Sequence, residues 1–141
     1  MLIGQLGQCF GRFDIIHHGH TNMLAYCSSF CDDLIVGIAS DDYCNAHGKP
    51  CIRSWKDRAD VIASIKNVLR VFSYSDHDPL KLWEERQTNV VFLNPEHRVD
   101  PVYVSVLSEL ERKTRVIWIP RTPGISGTDI KNKIRKEMAN V

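Results

Sequence analysis

No stretch of this 141-residue chain stays apolar for the length of a membrane span, so a membrane-spanning helix is not expected. Charge of one sign is not in excess either. Lys and Arg number 18 against 17 Asp and Glu, and no basic stripe stands out, which argues against a nucleic-acid surface. The opening residues, Met1-Leu2-Ile3-Gly4, lack the charged region and long apolar run of a signal peptide. Repeats, low-complexity tracts and linker composition are absent, so one domain over residues 1–141, with a single substantial core, is expected. The five cysteines are odd in number and follow no secretion signal, which predicts reduced thiols and a cytoplasmic setting. Cys44-x-x-His47-x-x-x-Cys51 comes nearest to a zinc pattern. A structural zinc takes four ligands in paired spacing, and here the fourth would come from a distant position. No protein-only metal site is expected.

What is present is an alternation of short apolar runs with helical patterns. A first strand is expected to end near Phe10, followed by a helix over about residues 20–30. Leu34-Ile35-Val36-Gly37-Ile38-Ala39 reads as a strand buried on both faces, and residues 41–53 as a loop. Ser54-x-x-Asp57 opens a helix with Ala59, Ile62, Ile65 and Leu69 as its apolar positions. Val71-Phe72 carries a short third strand, and Asp78-Pro79 opens a helix ending near Arg86. Asn89-Val90-Val91-Phe92-Leu93 forms the fourth strand. Asp100-Pro101 opens a helix with Val102, Val106, Leu107 and Leu110 along its apolar stripe. Val116-Ile117-Trp118-Ile119 is the fifth strand, and Ser126-x-x-Asp129 caps the last helix. Such alternation implies an α/β fold: a parallel sheet with right-handed crossovers and helices on both faces. One segment runs against the pattern, because Gln5 and Gln8 in the first strand would need buried partners.

The stretch around which the chain is organised is Gly11-Arg12-Phe13-Asp14-Ile15-Ile16-His17-His18-Gly19-His20. It lies at a strand-to-helix turn, where backbone N–H groups and the positive end of the helix dipole favour an anion. Gly19 lets a phosphate approach the backbone closely, and His17 and His20 can donate hydrogen bonds to it from two sides. Helix capping and metal binding are the other uses of histidines so spaced.

That stretch matches the G-x-F-D-x-x-H-x-G-H motif of the cytidylyltransferase branch of the nucleotidyltransferases at the glycine, phenylalanine, aspartate and both histidines. Arg121-Thr122-Pro123-Gly124-Ile125-Ser126 resembles the R-T-x-G-I-S motif of the same branch. With both motifs in order, the chain resembles the small glycerol-3-phosphate cytidylyltransferases over about residues 10–134. The resemblance implies a Rossmann-like five-stranded parallel sheet of order 3-2-1-4-5. It implies transfer of a cytidylyl group from CTP, with Mg²⁺, to a phosphorylated alcohol such as glycerol 3-phosphate, releasing pyrophosphate. It also implies a homodimer.

Residue by residue, the resemblance makes His17 and His20 contacts to the triphosphate that stabilise the transition state. Phe13, Asp14 and Gly19 fall in the same nucleotide-binding motif, with turn capping an equal reading for Asp14. Arg121 and Thr122 match nucleotide contacts, Gly124 and Ile125 complete that motif, and Ser126 and Thr128 match hydroxyl positions that hold terminal phosphates. Lys49 is what remains of a lysine-bearing loop and is expected to bridge the nucleotide and acceptor phosphates. Arg12, Asp41 and Arg58 are expected on the acceptor side along with Lys49; structural ion pairing is the other reading of Arg58. His18 occupies the variable position and is expected to face solvent or a neighbour. Three departures stand out: Arg12 where the family has a small residue, Gly127 in place of a hydroxyl residue, and Leu93-Asn94-Pro95-Glu96-His97 in place of a G-D-D-W segment. Two competing readings stay open, adenylyl transfer to a sugar or flavin phosphate, and a catalytically weak nucleotide-binding homologue, which Asn94-Pro95-Glu96-His97 keeps alive.

Overall fold

The computed structural model describes residues 4–121 and 127–139, with side chains for 4–121 and 130–139. In chain order the elements are β1 (Leu6–Gly11), α1 (His18–Ser28), β2 (Asp33–Ala39), α2 (Asp41–Ala46) and α3 (Trp55–Ala63). There follow β3 (Val68–Tyr74), α4 (Pro79–Glu85), β4 (Val90–Leu93), a 3-10 segment (Pro95–Val99), α5 (Pro101–Lys113), β5 (Arg115–Trp118) and α6 (Gly127–Ala139). The strands pair in parallel in the order β3-β2-β1-β4-β5, as the resemblance implies.

Because successive residues of a strand face opposite sides of a sheet, each central strand feeds two cores. On one face Cys9, Val36, Ile38, Val90 and Phe92 pack with Leu24 and Cys27 of α1 and Ala59 and Ile62 of α3. On the other, Phe10, Ala39, Val91 and Leu93 pack with Leu82 and Trp83 of α4 and Tyr103 and Leu110 of α5. The helices start where their capping residues dictate. Asp78 Oδ1 accepts the N–H groups of Leu80 and Lys81 at 3.0 and 3.3 Å, and Asp100 Oδ1 accepts that of Val102 at 2.9 Å.

Several expectations need correction. The presumed loop 41–53 contains α2, because Ser40 caps Tyr43 N–H at 3.0 Å and Asp41 and Asp42 favour the helix start. The third strand is longer than Val71-Phe72, and Leu69 lies on it, exposed at the sheet edge, because α3 already ends at Ala63. On α5, Val102 is half exposed and Tyr103 takes the buried place, which turns the stripe by one residue. The short 3-10 segment after β4 was not foreseen.

The two glutamines behave differently. Gln5 precedes the strand and is exposed. Gln8 is fully buried, and its Nε2 donates to Thr88 Oγ1 at 3.0 Å and Arg86 O at 3.3 Å. The chain between α4 and β4 thus supplies partners for the amide nitrogen, while Gln8 Oε1 is buried with no hydrogen-bond partner among the described residues.

Gly37 in β2 lies beneath two rings. A Cβ there would stand 2.7 Å from Phe72 Cζ and 2.8 Å from Phe10 Cδ1. Overpacking of a filled core costs about 1–3 kcal/mol. Gly37→Ala is therefore expected to lose about that much stability, read as a lower urea midpoint at an unchanged slope; an unchanged midpoint would mean that both rings move aside freely.

Candidate active site

Beyond the carboxyl ends of β1, β4 and β5 lies a cleft of about 270 Å³. Its floor is Phe10 and Gly11 of β1, its walls the loop 12–17 with the start of α1, and Asn94, Pro95 and Glu96 after β4. Ile119, Pro120 and Arg121 follow β5, and Lys131 enters from α6. This is the point at which strand order reverses, where parallel α/β sheets bind ligands.

His17 and His20 cap α1 reciprocally. His17 Nδ1 accepts the Gly19 N–H at 3.0 Å, and His20 Nδ1 accepts the His17 N–H at 3.3 Å. The ring centroids are 3.9 Å apart and inclined by 33°. The capping reading of these residues is therefore correct, and it does not exhaust them. An imidazole whose Nδ1 accepts is, when neutral, the Nε2–H tautomer, an assignment made from the hydrogen-bond network. Each ring keeps one donor for the cleft. The Gly19 N–H, on the backbone that a phosphate is expected to approach, is engaged by His17.

Burial, and then the neighbouring His17, pushes the His20 pKa down to about 4. His17 is lowered too, by burial and by His18. Both rings are thus neutral near pH 7. Phe13, buried under Gly11, lies 5.4 Å from the His20 ring and seats it from behind. It does so at φ 54°, a left-handed conformation that costs a bulky residue energy and commonly persists at functional sites.

Asp14 faces inward. Its Oδ2 accepts the Ile52 N–H at 2.9 Å and its Oδ1 the Arg53 N–H at 3.0 Å, and Lys131 pairs with it. Burial works to raise its pKa, while Lys131 and the N–H groups of Arg53 and Ile52 outweigh burial and lower it. Arg121 pairs with Glu96 at 3.5 Å across the mouth of the cleft. Arg12 lines the wall, and its Nε is buried with no hydrogen-bond partner among the described residues. His18 is exposed, as expected.

Two expected acceptor residues serve the scaffold instead. Arg58 is fully buried. Its Nη1 donates to Arg12 O and Ala39 O at 2.8 Å each, its Nε to Arg53 O at 3.2 Å, and its Nη2 to Asp41 Oδ1 at 2.7 Å. Asp41 also accepts the Trp55 N–H at 3.2 Å. This clamp ties the ends of β1 and β2 together, and the ion-pairing reading of Arg58 is the one the geometry takes. Lys49 is exposed on the turn after α2 and does not line the cleft. Thr122, Gly124, Ile125 and Ser126 lie outside the described residues, as does the side chain of Thr128.

Lys131 is the residue that sequence reasoning missed. Its signal was a lysine one turn into the last helix, among three other cationic residues there. Behind the Asn94–Pro95 wall, a second group also escaped notice. His77 lies within hydrogen-bond distance of the Tyr103 hydroxyl and stacks on Tyr74 at 4.9 Å, and His97 stacks on Tyr103 at 4.2 Å. Burial, then His97, brings the His77 pKa down to about 4.

A family model described as cytidylyltransferase-like matches residues 8–133. The glycerol-3-phosphate cytidylyltransferase of Bacillus subtilis (strain 168) is 29% identical over 133 residues, 89% of this chain and 93% of that protein. The ethanolamine-phosphate cytidylyltransferase of Arabidopsis thaliana is 29% identical over 85% of this chain, which spans only 30% of that longer protein. Among solved structures, the lipopolysaccharide core biosynthesis protein from Thermoplasma volcanium GSS1 superposes with a TM-score of 0.72 at 24% identity. That match covers 84% of this chain and 98% of the other, and it speaks to the fold.

The lowered histidines have a consequence for stability. His20 and His77 titrate at about 4 in the native state, against roughly 6.5 in an unfolded chain. Below that ordinary value the unfolded chain takes up protons that the native state refuses, so stability falls as pH drops from about 6.5 toward 4. Above it, neither histidine contributes to the slope. His77→Gln keeps a partner for Tyr103 but cannot titrate, and should flatten this slope in urea midpoints measured across the range. An unaltered slope would show that His77 titrates normally.

Proposed function

The chain belongs to the cytidylyltransferase-like family and is a nucleotidyltransferase, and from that premise we propose that it joins CTP to a phosphorylated alcohol, glycerol 3-phosphate in the first instance. The observation that carries the reading is the reciprocal histidine cap, which leaves two Nε2–H donors in a cleft at the sheet's switch point. An acceptor phosphate oxygen bonds to the α-phosphorus of CTP as the bond from that phosphorus to the bridging oxygen breaks, and pyrophosphate leaves. The nucleophile is already an anion, so no general base is needed. The barrier lies in bringing two anions together and in the charge on the transferring group.

His17 and His20 suit that task because they enter neutral. A triphosphate beside them meets two Nε2–H donors without a change of charge, because the cap occupies both Nδ1 atoms as acceptors. Arg12, with its buried and unpartnered Nε, suits the acceptor phosphate. Arg121, held at the mouth by Glu96, is placed to exchange that carboxylate for a phosphate. Lys49 belongs to the same reading. Ile52 N–H is fixed on Asp14, and three residues of chain span at most about 11 Å. A lysine on a turn that close needs only a modest loop movement to enter.

Among the described residues no three His, Cys, Asp or Glu side chains gather as a metal cage, and Asp14 is already held by three donors. The donor set thus suits Mg²⁺ carried by the triphosphate oxygens, where it offsets their charge. A homodimer and a cytoplasmic setting form part of the same proposal. Among the described residues no helix is long and apolar enough to cross a membrane.

With Mg²⁺ present, CTP is expected to raise the Tm more than ATP at equal concentration, since a ligand of the native state stabilises by mass action. An equal or larger shift with ATP would refute cytidylyl specificity. Pyrophosphate release on adding glycerol 3-phosphate, against phosphocholine, phosphoethanolamine and a sugar phosphate, then identifies the acceptor; no release with any of them would favour a catalytically weak homologue.

His20→Asn separates capping from catalysis, because asparagine caps a helix well but lacks the Nε2 donor. Turnover should drop by ~10²–10³ with little change in CTP affinity, while His18→Asn stays near the parent. If Lys49 bridges the two phosphates, Lys49→Ala should slow turnover without changing the Tm. Unaltered kinetics would return Lys49 to the solvated loop.

A further inference from the structure

The turn that carries Lys49 is closed by two thiols. α2 ends in a reversal in which the Gly48 N–H bonds to Asn45 O at 3.1 Å and the Lys49 N–H to Cys44 O at 2.9 Å. Gly48 stands at φ 68°. This double bond pattern around a left-handed glycine turns the chain back on the helix it has just left. It brings Cys51 onto Cys44 with the sulfurs 3.4 Å apart. Cys44 is buried against the second core, and Cys51 is half-buried. The next two residues are fixed as well, by the N–H groups of Ile52 and Arg53 on Asp14.

We propose that Cys44 and Cys51 form a redox-sensitive pair that closes to a disulfide when a hydroperoxide oxidises it, and so fixes the turn that carries Lys49. Three observations support this. The sulfurs already touch across a turn whose backbone bonds hold them together. Cys51 has access to solvent that Cys44 lacks, which sets the order of events. His47, the third member of the sequence pattern, is spent elsewhere: its Nδ1 lies 2.9 Å from Tyr43 O and its ring stacks on Tyr43 at 4.0 Å. Among the described residues His47 and the two thiols do not gather as a group that could hold a metal ion.

In the first step the Cys51 sulfur bonds to one peroxide oxygen. The O–O bond breaks, and the departing hydroxide leaves as water with the thiol proton. Cys51 is then a sulfenic acid. In the second step the Cys44 sulfur attacks the Cys51 sulfur, the S–O bond breaks, and a second water leaves with the Cys44 proton. Two thiols have lost two electrons to the peroxide. Burial and the adjacent Cys51 raise the Cys44 pKa to about 11, so Cys44 resolves the sulfenic acid rather than starting the reaction. The effect on turnover rests on the proposed role of Lys49; the bond itself does not.

The test oxidises the reduced full chain with hydrogen peroxide and reads three quantities. Intact mass should fall by two hydrogens, and a digest should give one peptide joining Cys44 to Cys51, reversed by dithiothreitol. Amide exchange over residues 47–53 should slow in the oxidised protein. Turnover should fall several-fold and recover on reduction. Cys51→Ser should lose this sensitivity, and Cys31→Ser, which removes another half-buried thiol, should keep it. Cys51 recovered as sulfinic or sulfonic acid without the linked peptide, or links among Cys9, Cys27 and Cys31 instead, would overturn the pair. A linked protein with unchanged exchange over 47–53 would overturn the fixing of the turn. A protein without transferase activity that still forms the link and slows exchange would leave the pair standing and refute only the assigned function.

Discussion

Everything near the cleft depends on one buried carboxylate. Asp14 holds the loop 52–53 by two backbone N–H groups and α6 by Lys131, and it belongs to the turn that positions both histidines. Three chain segments far apart in sequence therefore share one acceptor. Removing a single partner from a buried ion pair leaves an uncompensated charge, which is far worse than never having buried the pair. Lys131 does most to keep that carboxylate ionised against burial, ahead of the N–H groups of Arg53 and Ile52.

The histidine pair shows how one set of atoms can serve fold and chemistry together. Nδ1 of each ring satisfies a helix-start N–H, and this fixes the tautomer that points Nε2–H outward. A ring that only capped would be replaceable by asparagine, and a ring that only bound ligand would be free to turn. The reciprocal arrangement orients both donors before any ligand arrives, which is the condition under which such groups lower a barrier. Phe13, strained and buried, closes the back of the pair.

Much of this was legible in the sequence, for reasons that can be named. The strands were visible because parallel strands are apolar on both faces, and the helix starts because Ser54, Asp78 and Asp100 announce them. The order of the strands came from the resemblance and is seen in the sheet. What was hidden depended on partners remote in the chain. Gln8 looked misplaced until Thr88 and Arg86 O came to meet it, about 80 residues away. Arg58 read equally as ligand or scaffold because its acceptors are backbone carbonyls, which no residue pattern displays. Lys131 was invisible because only the folded chain brings α6 to Asp14. The helix within 41–53 was missed because its cap, Ser40, and its terminator, Gly48, enclose a single short turn.

The sheet's connectivity also bears on how the protein is made. β1 is bonded to β2 close by in sequence, but its other edge waits for β4, with Gly7 opposite Val90 and Gln8 opposite Val91. A ribosome delivers that second edge long after the first. In the interval, the histidine loop exists on a strand with one side unpaired, and the cleft has a single wall. The growing chain can assemble β1, β2 and β3 with their helices as a half-sheet, but the long-range closure on β4 comes late and is intrinsically slow. A truncated product ending before β4 would carry both motif histidines and still lack the wall that Asn94, Pro95 and Glu96 give the cleft.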